Sequence, residues 1–312
     1  MKYIKDLVSV VIPTYRRNDS LRCTIRSVLN QTYSNIEVLV VNDNISRDDE
    51  YSQQLYQIIR CLNDDRVTLI EQERHINGAA ARNAGIHAAK GEFIAFLDDD
   101  DDWEKTKISK QVDVLKQLDE SWGAASCLTR HYKNEKLIMC CLPYRSGNLL
   151  IDVLERRIGL GTGALLIRRS ALDDCAYFDE KLKRHQDLQL FAFLTAKYKI
   201  YLVKEYLYNK NDDDAQNRPG AEDLIAIKKE YFVSISSVMG SLKTSQQNVI
   251  QALHEFEIAY AFYKEHKFME ALCRTKKILR SPKTVLLAVE RIVRRLIEKR
   301  FRYALEKKFS RD

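Results

Sequence analysis

Phe93-Ile94-Ala95-Phe96-Leu97 runs without a break into Asp98-Asp99-Asp100-Asp101-Asp102, and Trp103 follows. Five adjacent carboxylates repel one another, so a site that keeps them ionised calls for a cation. Oxygen donors suit a hard ion such as Mg²⁺, Mn²⁺ or Ca²⁺. The apolar run, bounded by Gly91, has the length of a buried strand of a parallel sheet. The C-terminal end of such a strand opens into the crevice where α/β sheets bind ligands. A solvated acidic loop is the plain alternative, but it gives no reason for a fully apolar strand aimed at it. A calcium loop of the EF-hand type is excluded. Asp98, Asp100 and Asp102 have its first spacings, yet Trp103 stands where glycine is required and Ser109 where the bidentate glutamate belongs.

The elements that must carry these acids alternate in type. Residues 8–12 are a β-branched run expected to stop at Pro13, and Asp19 or Ser20 can cap a helix through Leu21, Ile25, Val28 and Leu29. Strands at 36–41 and 67–70 flank a polar helix at 48–62. Asn77-Gly78 opens an Ala-rich helix ending near Lys90 with Gly91 as its C-cap, and a helix spans 105–118. Four alternations of strand and helix in 120 residues predict a doubly wound α/β sheet. The polar strand ends at Thr14-Tyr15, Asp43 and Asp98 to Asp100 then converge on one edge. Beyond Trp122 the pattern is less regular, with strands at 164–167 and 200–203 and a helix near 186–197. The polar stretch from Asn209 to Gly220 is the expected linker, dividing the chain into 1–215 and an all-α region 216–312. There Ala259, Phe262 and Ala271, closed by Pro282, have the look of one tetratricopeptide-like hairpin. A solenoid needs about three such units.

Composition is that of an ordinary globular protein, 45% hydrophobic and 30% charged. No signal-peptide core or membrane-length apolar run is present, and the seven cysteines are odd in number without a CxxC pair. A reducing cytoplasmic setting is therefore expected. The net charge of +7 is uneven: Ser281 to Asp312 holds ten Lys/Arg against four Asp/Glu, a surplus of 6. Within 286–309 the apolar residues Leu286, Val289, Val293, Leu296, Ile297, Phe301, Ala304 and Leu305 recur at helical spacing. Such a helix either packs on the protein's own core or lies on the cytoplasmic face of a membrane, and the charge surplus favours the membrane. Nucleic acid is not an expected partner, since no interleaved aromatic motif accompanies the basic tail.

Five motifs occur in one order: Val8-Ser9-Val10-Val11-Ile12-Pro13-Thr14-Tyr15, Ser27-Val28-Leu29-Asn30-Gln31-Thr32-Tyr33, Val40-Val41-Asn42-Asp43, Asn77-Gly78-Ala79-Ala80-Ala81-Arg82-Asn83-Ala84-Gly85 and Phe96-Leu97-Asp98-Asp99-Asp100-Asp101. In that order and spacing the chain resembles the family 2 glycosyltransferases, closely over about 7–120 and weakly to about 205. The resemblance implies a GT-A type doubly wound, Rossmann-like mixed sheet flanked by helices. It implies inverting transfer from a nucleotide-sugar donor, a UDP-sugar by family frequency, with Mn²⁺ or Mg²⁺ as cofactor.

On this resemblance Asp100 is the direct metal ligand, Asp98 binds directly or through water, and Asp99 reaches the donor ribose or sugar. Asp101 and Asp102 are read as one residue ordering the loop and one solvated. Asp43 contacts the base, with Asn42 replacing the acid often found before it. Pro13, Thr14 and Tyr15 lie beside it, and Tyr15 is read either as a platform for the base or as a plain turn aromatic. Gly78 begins a helix whose N-terminus favours phosphate, and Arg82 matches the arginine that reaches the nucleotide. Phe178-Asp179-Glu180 followed by His185-Gln186-Asp187 resembles the segment carrying the general base, so Asp187 is the candidate, with Gln186 in place of the usual glutamate and His185 as a rival base. Gly161-Thr162-Gly163 reads equally as an acceptor-pocket wall or a tight turn. The expected acceptor is a glycan or lipid-linked glycan in capsule, O-antigen or lipopolysaccharide assembly. Processive relatives carry a QxxRW motif, which this chain lacks. A sugar-phosphate nucleotidyltransferase is the rival enzyme, but Pro13-Thr14-Tyr15-Arg16-Arg17 lacks its Gly-rich loop. A catalytically silent nucleotide-sugar scaffold is the rival of another class.

Overall fold

Strand β1 (Ile4–Thr14) supplies two cores at once. Val8, Val10 and Ile12 face one side of the sheet and Val11 the other, all fully buried. The computed structural model describes residues 3–309 apart from 45, 47, 73, 212–218 and 280, and the backbone alone at 277 and 301–309. After β1 come α1 (Leu21–Leu29), β2 (Ile36–Asn42), α2 (Glu50–Leu62), β3 (Val67–Glu71), α3 (Gly78–Ala88), β4 (Gly91–Phe96), β5 (Asp102–Trp103) and α4 (Lys107–Gln117). The second half adds β6 (Trp122–Lys133), β7 (Lys136–Cys140), α5 (Leu150–Leu154), β8 (Leu166–Arg168), α6 (Arg169–Asp174), α7 (Gln186–Lys197) and β9 (Lys199–Asn211). Helices α8 (Ala221–Ser234), α9 (Ser236–Gly240), α10 (Thr244–Lys264), α11 (Phe268–Ile278) and α12 (Pro282–Phe309) complete it.

The nine strands form one mixed sheet in the order β3-β2-β1-β4-β8-β6-β9-β5, with β7 beside β6. Its first four strands are parallel, and β8 pairs antiparallel with both β4 and β6. Apolar faces of α1, α2 and α4 cover one side, through Leu21, Ile25, Leu55, Ile108 and Val112. Those of α3, α6 and α7 cover the other, through Ala79, Ile86, Leu172 and Phe191. The expected mixed α/β sheet flanked by helices is therefore observed. The parallel pairings bring the C-terminal ends of β1, β2 and β4 to one edge.

Local expectations changed in four places. Strand β1 does not stop at Pro13 but continues to Thr14, paired with Asn42. Val11 and Thr14 turn their carbonyls to Leu97 and Asp43. By alternation the nitrogen of Pro13 faces the β4 side, beyond the end of that strand, where no donor is missed. Gly91 is not a C-cap; α3 ends at Ala88 with Ala89 as its C-cap, and Gly91 opens β4. A Cβ there would stand 2.6 Å from the Leu7 carbonyl oxygen, so glycine permits the close approach of β4 to β1. Asn209 to Asn211 are not linker but the end of β9, with Asn209 and Tyr208 paired to β5. The rest of that linker, and the 215/216 boundary within it, fall largely on 212–218, outside the described residues. Pro282 begins α12 rather than closing a hairpin, although α10 and α11 do form one, packed through Phe262 and Ala271.

Candidate active site

Helix α1 holds the acid turn in place. Ser20 Oγ donates to the Asp99 carbonyl at 2.8 Å, so Ser20 clamps this turn instead of capping its helix. Thr24 Oγ1 reaches the carbonyls of Asp99 and Asp101 at 3.0 and 2.8 Å. The end of β9 closes the other side. Asn211 N–H donates to Asp101 at 2.8 Å, Tyr208 hydroxyl bonds the same carboxylate, and Asn209 Nδ2 donates to Asp102 at 2.8 Å. Asp101 is therefore the buried residue that orders the loop, pushed up to about 8 by burial. Asp102 is held by Asn209 rather than left to solvent. Trp103 is buried, with its indole N–H on the Gly163 carbonyl at 2.8 Å. A Cβ on Gly163 would stand 2.4 Å from the Tyr208 ring, so this glycine serves close packing behind the acids.

The carboxylates aimed outward meet arginines. Arg82 Nη2 donates to Asp98 at 2.5 Å, and Arg17 bonds Asp100 and lies 3.7 Å from Asp99. Burial disfavours ionised Asp98, but Arg82 more than offsets it and holds the carboxyl below its usual range. Burial also pushes Asp99 up to about 7. Asp98 and Asp100 remain 30% and 24% exposed, so each has its protein-side partner and an open side. Two such hard oxygen donors fit a divalent cation that takes its remaining ligands from water and a substrate diphosphate. Among the described residues no group of three or more His, Cys, Asp or Glu forms a ready-made metal cage.

Tyr15, at the end of β1, stacks on His75 with centroids 4.0 Å apart and planes 18° from parallel. The His75 Nδ1 lies 2.9 Å from the Asp43 carbonyl and 3.0 Å from its carboxylate. Asp43 is buried, which raises its pKa against the pull of His75. Thr14 is buried beside it, its carbonyl accepting from Asp43 N–H. Asn42 is locked to Ser52 and Glu71, leaving Asp43 as the acid of this edge.

Asn77, the residue before α3, accepts from the N–H groups of Ala79 and Ala80 at 2.9 and 3.1 Å. Those are the donors a phosphate at the helix start would use, so the expectation for Gly78 changes. A Cβ on Gly78 would stand 3.1 Å from Arg82 Nη1, and glycine thus leaves room for that side chain to fold back. Asn83 then docks the segment before α7. Its side chain bonds Phe178 N–H, the Phe178 carbonyl and Glu180 at 3.1, 2.9 and 2.8 Å. This brings the first turn of α7, with Asp187, toward Arg82. Burial opposes the charge on Arg82, but Asp98 and then Asp187 keep it protonated.

His185 takes a left-handed conformation, φ 65°, and makes no side-chain cap bond. Burial, with Lys228 and Arg156 nearby, lowers it to about 3. A neutral imidazole of that kind is a poor proton acceptor, which counts against His185 as the rival base. Asp187 also helps keep Arg156 charged, and Arg156 lies 3.4 Å from Glu257. Glu257 also bonds Lys228 and Arg291, so α8, α10 and α12 meet at one carboxylate. Glu257 is held well below its usual range, because three cations outweigh its burial. Lys228 falls to about 8 by burial, since Arg156 and Arg291 counter the help of its single carboxylate.

Arg17, His75, Asn83, Tyr208, Asn211 and Arg156 were not singled out in the sequence. Arg17 had a local signal, a basic pair following a strand whose end points to the acids, and Asn83 stands next to Arg82 in the Asn77–Gly85 motif. The others arrive from remote segments.

Comparison with known proteins bears on the family and the fold. Residues 9–174 match the family described as Glycosyl transferase family 2. The chain is 40% identical over 110 residues to the Escherichia coli UDP-Glc:alpha-D-GlcNAc-diphosphoundecaprenol beta-1,3-glucosyltransferase WfaP, and 29% identical over 197 residues to the Erwinia amylovora amylovoran biosynthesis glycosyltransferase AmsB. These matches cover 35% and 60% of this chain, and span only 41% and 64% of the relatives' lengths. Among solved structures, Staphylococcus aureus TarS 1–349 in complex with UDP-GlcNAc aligns with TM-score 0.62 at 18% identity, over 96% of this chain and 92% of that one. The Pyrobaculum calidifontis mannosyltransferase PcManGT with GDP-Man and Mn²⁺ aligns with TM-score 0.58 at 16% identity, over 90% and 78%. The family match takes in β1, the acid turn and Arg82 together, which sets aside the nucleotidyltransferase alternative: the chain belongs to glycosyltransferase family 2 and has the GT-A fold.

Proposed function

We propose that the protein transfers a sugar, with inversion, from a UDP-sugar to a hydroxyl of a glycan or lipid-linked glycan acceptor in surface-polysaccharide assembly. The reading rests most on Arg82. It bonds Asp98 on the acid turn, and its charge is supported next by Asp187, so one guanidinium is coupled electrostatically to a donor-binding acid and to the base. The names of WfaP and AmsB support the pathway class, and the TarS complexes with UDP and UDP-GlcNAc support a uridine donor. A divalent ion, Mn²⁺ or Mg²⁺, held by Asp100 and Asp98 would neutralise charge on the departing diphosphate. Arg82 and Arg17 add fixed positive charge on that side. Asp187 takes the acceptor proton, which an inverting displacement requires on the face away from the leaving group.

Asp100→Asn tests the metal. It should weaken metal-dependent UDP binding by about tenfold or more, read by titration calorimetry with and without Mn²⁺. Full UDP affinity in that variant, still abolished by chelator, would move the metal elsewhere.

The His75 ring lies flat on Tyr15 and is bonded to Asp43, so a base that stacks on Tyr15 and bonds Asp43 competes with it. His75→Ala should raise UDP affinity several-fold, about 1 kcal/mol. A drop in affinity would instead make His75 a contact of the bound base.

A further inference from the structure

Helix α12 turns a largely polar face inward and an apolar face outward. Inward lie Thr284, Leu287, Ala288, Arg291, Arg294 and Glu298. Arg294 donates to the Leu142 carbonyl at 2.7 Å, and Glu298 accepts from Leu142 N–H at 3.2 Å. At 100° per residue the opposite face carries Leu286, Val289, Ile292, Val293, Leu296 and Ile297, each 45–67% exposed. A helix packed on its own domain ordinarily does the reverse. Exposed Lys283 and Lys299 border the stripe, with Arg295 beyond Lys299 and Arg300 at its end; the one acid at its edge, Glu290, is paired with Arg157 at 3.2 Å.

We propose that this face of α12 docks on an anionic lipid bilayer, with the apolar stripe at the headgroup boundary and the basic borders on lipid phosphates. The charge pattern selects this occupant. A second copy meeting the same patch would bring like basic borders together, whereas an anionic surface complements them. No described helix is long and apolar enough to cross the membrane, which is compatible with a helix lying in its plane. The inner face of α12 connects with the catalytic centre: Arg291 bonds Glu257, and Glu257 holds Arg156 beside Asp187. The proposal deepens and rests on the reading of a lipid-linked acceptor, since a docked α12 sets the acceptor side of the centre near the bilayer.

The test is co-sedimentation of the full chain with phosphatidylethanolamine–phosphatidylglycerol vesicles and with phosphatidylcholine vesicles. The chain should pellet with the anionic vesicles, less so at high salt. Val289→Glu, Val293→Glu and Leu296→Glu together should weaken partition about tenfold or more, at positions exposed enough to leave folding intact. Lys283→Gln with Lys299→Gln should weaken it about 25-fold, fivefold for each charge removed. Equal pelleting with both vesicle types, no loss in either variant, or a solution dimer that the glutamates dissociate without any vesicle binding would each overturn the proposal. UDP affinity measured without vesicles should be unchanged in both variants. Its absence in the wild type would count against the glycosyltransfer reading instead.

Discussion

Asp187→Asn should lower turnover by about 10²- to 10⁴-fold while leaving donor affinity unchanged. Asp187 is the carboxylate of the first turn of α7, brought toward Arg82 by the docking of Phe178 and Glu180 on Asn83. It is not on the turn that carries Asp98 and Asp100, so an amide there leaves the donor's partners in place. What is lost is the proton acceptor for the incoming hydroxyl. His185 cannot substitute, because burial keeps its imidazole neutral down to about pH 3 and weakly basic. Single-turnover transfer and equilibrium UDP binding separate the two effects. If the variant loses UDP affinity but retains single-turnover chemistry, the assignment is wrong.

Glu257→Ala should destabilise the protein by about 3–5 kcal/mol, because breaking a buried ion pair leaves its partners uncompensated. Here the partners are three cations, Arg156, Lys228 and Arg291, around a carboxylate whose side chain is only 16% exposed. The sign with pH follows from the depressed folded pKa of Glu257. Its contribution is complete above the unfolded value of about 4.3 and is lost only as pH falls through the lower folded value. The gap between variant and wild type should therefore be full at neutral pH and close only well into acid. Thermal unfolding across pH reads this directly. A variant within about 0.5 kcal/mol of wild type at pH 7 would show that the cluster is not a structural junction. Because Arg156 loses its anchor beside Asp187, turnover should fall as well.

The α/β layering and the acid turn were legible in the sequence because both are local. Val8 to Ile12, Ile36 to Val41 and Phe93 to Leu97 are runs whose period and flanking residues suffice to read a strand. Parallel connections then force their ends, with Thr14, Asp43 and Asp98, to one edge. Strands β6 and β7 escaped notice because their residues, such as Thr129-Arg130-His131-Tyr132, follow no clean alternation; pairing with β8 and β9 makes β6 a strand, and β7 is one because it pairs with β6. The same reason explains Asn209 to Asn211, a polar stretch that reads as linker until β5 pairs with it and the acid turn takes its amides.

What the sequence by itself determined is the inventory: a strand delivering acids, an arginine one turn into an Ala-rich helix, a later acid after Phe178-Asp179-Glu180, and an amphipathic basic helix at the end. What only the tertiary structure decided is who faces whom. Arg17 meets Asp100 across 83 residues, and Arg291 meets Glu257 across 34. Helical periodicity located an apolar stripe on α12, but a stripe has no inherent inside. Arg291, Arg294 and Glu298 found half-buried partners on α10 and at Leu142, and those bonds turned the apolar face away from the protein. Ion pairing and packing between remote segments carry no period along the chain, and so they become visible only once the fold has brought their members together.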